Sequence, residues 1–167
     1  MNAAAATIKP GSDGLFILPF GNGAERMLNN QAIGSIYVNY NEAVHSDAHI
    51  FRAVQEGIAF AFRYGLDIMK ETGMQPTVIR AGKANMFLSD VFTSSFVNAL
   101  NIPVELYNND GSTGAAIGAG IGAGMYSSFK DAFSACKPMG SVEPTGIGTY
   151  DELYGEWRST LLKQLNQ

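Results

Sequence analysis

At 167 residues, 46% hydrophobic and 16% charged, the chain has the apolar content of one folded domain with its own core, not that of a disordered segment. A net charge of -4, with Lys and Arg scattered along the chain, excludes the basic stripe of a nucleic-acid footprint. With one cysteine, Cys136, no run of about 18 apolar residues and no basic, apolar leader at the start, the expectation is a reduced, cytoplasmic compartment and no membrane partner.

After a polar lead, residues 15–20 form an apolar run containing Pro19, which predicts a short buried strand. Residues 21–30 carry charge between two apolar runs and read as a loop; residues 35–40 read as a second strand. Ser46 is an N-cap type, and Ile50, Val54, Ile58, Ala61, Leu66 and Met69 recur near helical spacing until Gly73, which predicts the longest helix. Pro76 precedes a β-branched strand over 77–80, followed by a helix over about 85–100. A second strand–helix unit comes next: a strand over 102–107, a turn cluster over 108–112 and a helix capped by Thr113. Two such units in succession predict parallel pairing. Gly114, Gly118 and Gly122 share one face of that helix. Each costs about 1 kcal/mol relative to alanine, so the face predicts a neighbour packed close against it. Residues 127–136 read as a short helix, 137–149 as a Pro/Gly-rich loop, and 150–165 as a terminal helix whose Tyr150, Tyr154 and Trp157 stripe is packing.

Residues 77–89 carry the most chemistry. Val78 and Ile79 favour a buried strand, Ala81 and Gly82 let a ligand approach the backbone, and the helix expected next offers free N–H groups. Asn85 and Ser89 add donors and acceptors, and Lys83 stands either against phosphate or in solvent. An ordinary strand-to-helix turn has the same pattern, so these residues alone leave both readings open. Gly118-x-Gly120-x-x-Ala123 matches a dinucleotide-binding spacing, but a polar loop separates its glycines from the preceding strand, where that fingerprint needs them. His45 and His49 are four apart without a completing ligand set and read as surface or cap residues; no Gly-x-Ser-x-Gly elbow is present. Glu25-Arg26, together with Arg52 and Glu56, either orders a site or forms ion pairs.

Leu18-Pro-Phe-Gly-Asn-Gly-Ala-Glu-Arg26 is similar to a Leu-Pro-Tyr…Gly-Glu-Arg segment, and Arg52-Ala-Val-Gln-Glu-Gly-Ile58 to an Arg-Ala-x-x-Glu-Gly helix, of one known family. The Ala81-Gly82 turn stands where that family has a glycine-rich adenosine motif, and Gly114-Ala-Ala116 where a small-residue helix begins. In this order and spacing, nearly the whole chain resembles the C-terminal part of the FGGY family of carbohydrate kinases, the xylulose kinases most closely.

The resemblance implies an α/β fold of the actin-like, ribonuclease-H-like ATPase type, with a short mixed sheet flanked by helices. It implies that residues 1–167 are the nucleotide-side domain of a longer chain, with the N-terminal kinase lobe of the same polypeptide as partner. The implied reaction moves the γ-phosphoryl of ATP, with Mg2+, to a pentulose, D-xylulose giving D-xylulose 5-phosphate. Ala81, Gly82, Lys83, Asn85 and Ser89 are the implied cofactor-binding residues. The family's aspartate base and first phosphate loop lie upstream of anything present here, so no catalytic residue or metal ligand is assigned and the chain alone is expected to be inactive. Pairing of two copies is allowed. Ala81 in place of glycine, Asn98 in place of aspartate and a longer segment before Ser89 depart from the family pattern; the absent base together with Ala81 and Asn98 motivates the alternative of a non-catalytic nucleotide-binding or regulatory module.

Overall fold

The computed structural model describes residues 1–166. The chain opens not with a bare polar lead but with one helical turn, α1 (Asn2–Ala5), whose Ala5 is fully buried. Gly11, Ser12, Asp13 and Gly14 then all take positive φ, a left-handed conformation that Ser12 and Asp13 adopt only because surrounding groups hold them. β1 (Phe16–Phe20) follows as expected and pairs antiparallel with β2 (Gly34–Val38), Leu18 opposite Ile36. Between them, the loop is organised by a helical turn at Arg26–Leu28 and a bridge between Glu25 and Gln31.

Ser46 caps α2 (Asp47–Glu71) in a reciprocal box, its backbone N–H donating to His49 Nδ1 at 3.1 Å. The expected helix is present from its cap to the Gly73 stop. Its buried face differs, however, from the one that apolar spacing marked. Arg52, Ala53, Gln55, Glu56 and Phe60 are buried, while Ile50, Val54 and Ile58 are only half-buried. The cause is a close backbone seam: α2 lies so near β1 that a Cβ at Gly57 would collide with the Ile17 carbonyl oxygen.

The second sheet has three strands in the order β3 (Ile79–Gly82), β4 (Val104–Tyr107) and β5 (Pro138–Val142). β3 and β4 run parallel, as the repeated unit predicted, whereas β5 is antiparallel and occupies a stretch that reads in sequence as loop. Exposed and interrupted by Pro138 and Gly140, β5 carries no alternating pattern; backbone pairing with β4 makes it a strand. The helix expected from residue 85 starts later. A helical turn at Asn85–Leu88 leads to Ser89, which caps α3 (Asp90–Leu100). Likewise α4 (Gly111–Gly122) is capped by Asp110 rather than Thr113. A Cβ at Gly114, Gly118 or Gly122 would meet nothing within 4 Å, so among the described residues the close neighbour predicted for that face is not found.

After the short α5 (Phe129–Ala132), α6 (Ile147–Leu165) brings Tyr150, Tyr154 and Trp157 into the core as expected. Trp157 is fully buried, lies 6.0 Å from the Phe60 ring and donates its indole N–H to the Ile17 carbonyl at 2.9 Å. Among the described residues no helix is long and apolar enough to cross a membrane.

Candidate functional site

Ala81 and Gly82 are the last two residues of β3, one step earlier than a turn would place them. Strand alternation turns Ile79 and Ala81 to the core and leaves Arg80 exposed on the outer face. Beyond Gly82 the chain bends at once: the Ala84 N–H donates to the Gly82 carbonyl at 2.8 Å, and the Lys83 N–H to the Tyr107 carbonyl at 2.8 Å. Gly82 is small for a structural reason. A Cβ there would collide with the backbone oxygen of Asn109, in the loop after β4.

Ala81, Gly82 and Asn85 meet in a cleft of about 400 Å3, closed on the other side by Asn109, Asp110 and Gly111 at the start of α4. That size suits a small ligand. Asn85 is exposed and held left-handed at φ 51. The Lys83 side chain is exposed beside it. Ser89 is not brought to this cleft. It is buried, its hydroxyl donating to Gln55 Oε1 at 2.6 Å and accepting the Phe92 N–H at 3.4 Å, and it faces a smaller cleft shared with Asn85 and Met86.

Asn109 and Asp110, not singled out in the sequence, form the opposite wall. Their only sequence signal is a turn cluster, which gives no hint of what the turn faces. Asp110 Oδ1 accepts from Ser112 Oγ at 2.6 Å, from the Thr113 N–H at 3.0 Å and from Thr113 Oγ1 at 3.2 Å, and these bonds hold its carboxyl below the usual range. The N-terminus of α4 therefore already carries an anion.

Arg52 and Glu56 take the ion-pair alternative. They are buried, with Nε to Oε1 at 2.7 Å, and the Gly11 N–H and Ser12 hydroxyl also bind the Glu56 carboxylate. His49 is the cap partner that was expected, but His45 is buried: its Nδ1 accepts the Asn41 N–H at 3.0 Å and its Nε2–H donates to the Asp13 carbonyl at 3.2 Å. With Glu56 it holds the left-handed turn. Asn98 lies outside the cleft, with its Oδ1 accepting the Thr145 and Gly146 N–H groups at 2.7 and 2.6 Å and its Nδ2 donating to the Ser94 carbonyl at 2.9 Å. Its amide joins α3 to the start of α6.

Residues 1–126 match the model of the FGGY family of carbohydrate kinases, C-terminal domain. The chain is 29% identical over 138 residues to L-xylulose/3-keto-L-gulonate kinase of Escherichia coli (strain K12), covering 79% of this chain and 26% of that protein. It is 27% identical over 161 residues to xylulose kinase of Lactococcus lactis subsp. lactis (strain IL1403), covering 91% of this chain and 31% of that protein. Xylulose kinase from Rhodospirillum rubrum superposes with a TM-score of 0.78 at 25% identity, over 99% of this chain and 34% of that one. Plasmodium falciparum glycerol kinase with ADP gives 0.77 at 19% identity, over 99% and 33%, a likeness of fold alone. The fold is the actin-like ATPase type, and the chain spans between a quarter and a third of the length of these relatives. On the family match over residues 1–126, supported by these likenesses, the chain belongs to the FGGY family of carbohydrate kinases.

Proposed function

We propose that this chain is the nucleotide-side part of an ATP-dependent pentulose kinase that converts D-xylulose to D-xylulose 5-phosphate in the cytoplasm. The observation that carries the reading is the cleft in which the end of β3, the Asn85 turn and the start of α4 converge, with Ala81, Gly82 and Asn85 on one wall and Asn109 on the other. Its floor is apolar, from Phe62, Met86, Phe87 and Phe92, while Ala81, Gly82 and Gly111 leave main-chain atoms, and Asn85 and Asn109 amides, within reach of a ribose or a base. The exposed Lys83, two residues before Asn85, is the proposed phosphate contact, and Ser89 acts one layer back by holding Gln55 and the start of α3.

Phosphoryl transfer needs an in-line acceptor, a base and charge stabilisation at a closed site. This chain supplies a surface for the donor nucleotide and leaves the base to the lobe that precedes it in the relatives. The cleft does not fit a resident Mg2+, because Asp110 is its one carboxylate and the described residues hold no group of three or more His, Cys, Asp or Glu that could ligate a metal. Two features support a covering lobe. Among the described residues the outer edge of β3 pairs with no strand, and along α2 the half-buried Ile58 and exposed Phe62 and Met69 line an apolar groove of about 570 Å3. The module alternative draws on the absent base, Ala81 and Asn98, and of these Asn98 has a structural task.

Joining the chain to the preceding lobe should give ATP-dependent phosphorylation of xylulose. Activity on another ketose or a polyol, with none on xylulose, would remove the substrate assignment. If the Ala81, Gly82 and Asn85 amides of the two-lobe protein do not shift on adding ATP or ADP, the nucleotide role falls.

A further inference from the structure

Asn22-Gly23 is the one Asn-Gly pair of the chain, and it stands in the loop between β1 and β2. The loop is held on both sides of the pair. A Cβ at Gly21 would press on Ser35 Oγ, and the Glu25 N–H donates to the Gln31 carbonyl at 3.4 Å. Between these anchors Asn22, Gly23 and Ala24 are exposed. Among the described residues no backbone carbonyl takes the Gly23 N–H, and the hydrogen-bonded side-chain amides are those of Asn39, Asn41, Gln55, Asn98 and Asn109, not that of Asn22.

Gly23 sits at φ 108 and has no Cβ, so no side chain of its own screens its nitrogen from the Asn22 amide. The two Asp-Gly pairs differ. The Gly14 N–H is committed to the Gly11 carbonyl at 2.8 Å, and Gly111 opens α4 while the Asp110 carboxylate accepts from Ser112 and Thr113. We infer that Asn22 is a site of spontaneous deamidation, a covalent change whose one co-reactant is water. The Gly23 nitrogen gives its proton to solvent and bonds to Asn22 Cγ; the bond from Cγ to the side-chain nitrogen breaks, and that nitrogen leaves, reprotonated, as ammonia. Water then opens the cyclic imide. Attack at Cγ yields aspartate, and attack at the Asn22 main-chain carbonyl yields isoaspartate, with the main chain rerouted through Cβ and Cγ. Asn22 lines the apolar groove along α2, where Glu25 is the one carboxylate, so either product adds a second negative charge to that groove. The isoaspartyl form also becomes a substrate for an isoaspartyl O-methyltransferase.

The test incubates the 167-residue chain at mildly alkaline pH, folded and in urea. Fragment-ion mass spectrometry then locates each converted residue, and methyl transfer from S-adenosylmethionine by isoaspartyl O-methyltransferase counts isoaspartate. In the folded chain Asn22 should convert several-fold faster than any other asparagine, and Asp13 and Asp110 should take no methyl. In urea both aspartates should become methyl acceptors as well, because their hydrogen bonds are gone. Asn22→Gln should remove methyl acceptance from the folded chain and keep its melting temperature. An Asn22 amide that survives in the folded chain overturns the inference, and its loss in urea shows that the conditions suffice. Equally fast conversion of another asparagine overturns it too, as does undiminished methyl acceptance by Asn22→Gln.

Discussion

The Glu56 carboxylate sits 2.7 Å from the Arg52 guanidinium across one turn of α2, and it also accepts the backbone N–H of Gly11 at 3.1 Å. One buried anion therefore joins the long helix to the left-handed turn that leads into β1. The Arg52 guanidinium extends the network, donating to the Ile8 carbonyl at 2.7 Å and to the Tyr150 hydroxyl at 3.3 Å.

Removing one partner leaves the other charged and buried, so Glu56→Ala and Arg52→Ala should each cost about 3–5 kcal/mol in urea unfolding. Replacing both by apolar residues, as in Arg52→Met with Glu56→Leu, should cost less than either. Burial raises the Glu56 carboxyl above its usual range, opposed by Arg52, Gly11 and Ser12. The folded state then holds this proton more tightly than the unfolded chain. Its contribution is full below the ordinary value of 4.5 and is lost as pH rises through the folded value. Glu56→Gln should flatten that part of the stability-versus-pH curve; an unchanged slope would show that Glu56 is not its source.

Gly82→Ala forces a methyl group against the Asn109 carbonyl, which belongs to backbone and cannot swing aside. A loss of about 1–3 kcal/mol is expected, read as a lower melting temperature, with amide shifts concentrated at Asn109 and Asp110. Ala81→Gly, on the other face of the strand, should cost about 0.5–1 kcal/mol from backbone freedom. Equal losses from the two changes would contradict the seam between β3 and the loop after β4.

Asn98→Asp removes a donor. A carboxylate keeps the bonds from Thr145 and Gly146 and loses the one to the Ser94 carbonyl, leaving that oxygen facing a like partial charge. The expected cost is on the order of 1–3 kcal/mol by denaturant unfolding. A more stable Asn98→Asp protein would show that the amide nitrogen contributes nothing at this junction.

Trp157→Phe removes the indole N–H and leaves the Ile17 carbonyl without that donor, at a cost of about 1–3 kcal/mol. Trp157→Ala opens a cavity beside Phe60 and Phe20 and should cost about 3–5 kcal/mol. Both are measured by thermal unfolding with far-ultraviolet dichroism, since the substitutions remove the native fluorophore. Little change in either variant would mean that α6 is not held to β1 through this side chain.

Elements whose signals are local were legible in the sequence. Ser46 and Gly73 bound α2 because a cap and a stop act within a few residues of themselves. The apolar run over 15–20 became β1, the repeated unit gave the parallel β3–β4 pair, and the aromatic stripe of α6 went into the core. Ala81, Gly82 and Asn85 were recognisable as a group for the same reason, being consecutive or nearly so. Family membership was also readable, because four short motifs keep their order and spacing.

What folding alone decided involves partners far apart in sequence. Asn109 imposes glycine at position 82, Asn98 finds its two donors 47 and 48 residues away, and Gly11 reaches Glu56 across 45. β5 is a strand only because β4 offers it an edge, and α2 buries Arg52 and Glu56 only because the turn at Gly11 supplies donors. Periodicity and capping describe a chain's preference over a turn or two, whereas a buried polar group settles where a distant group completes its hydrogen bonds. That distance is set by tertiary packing.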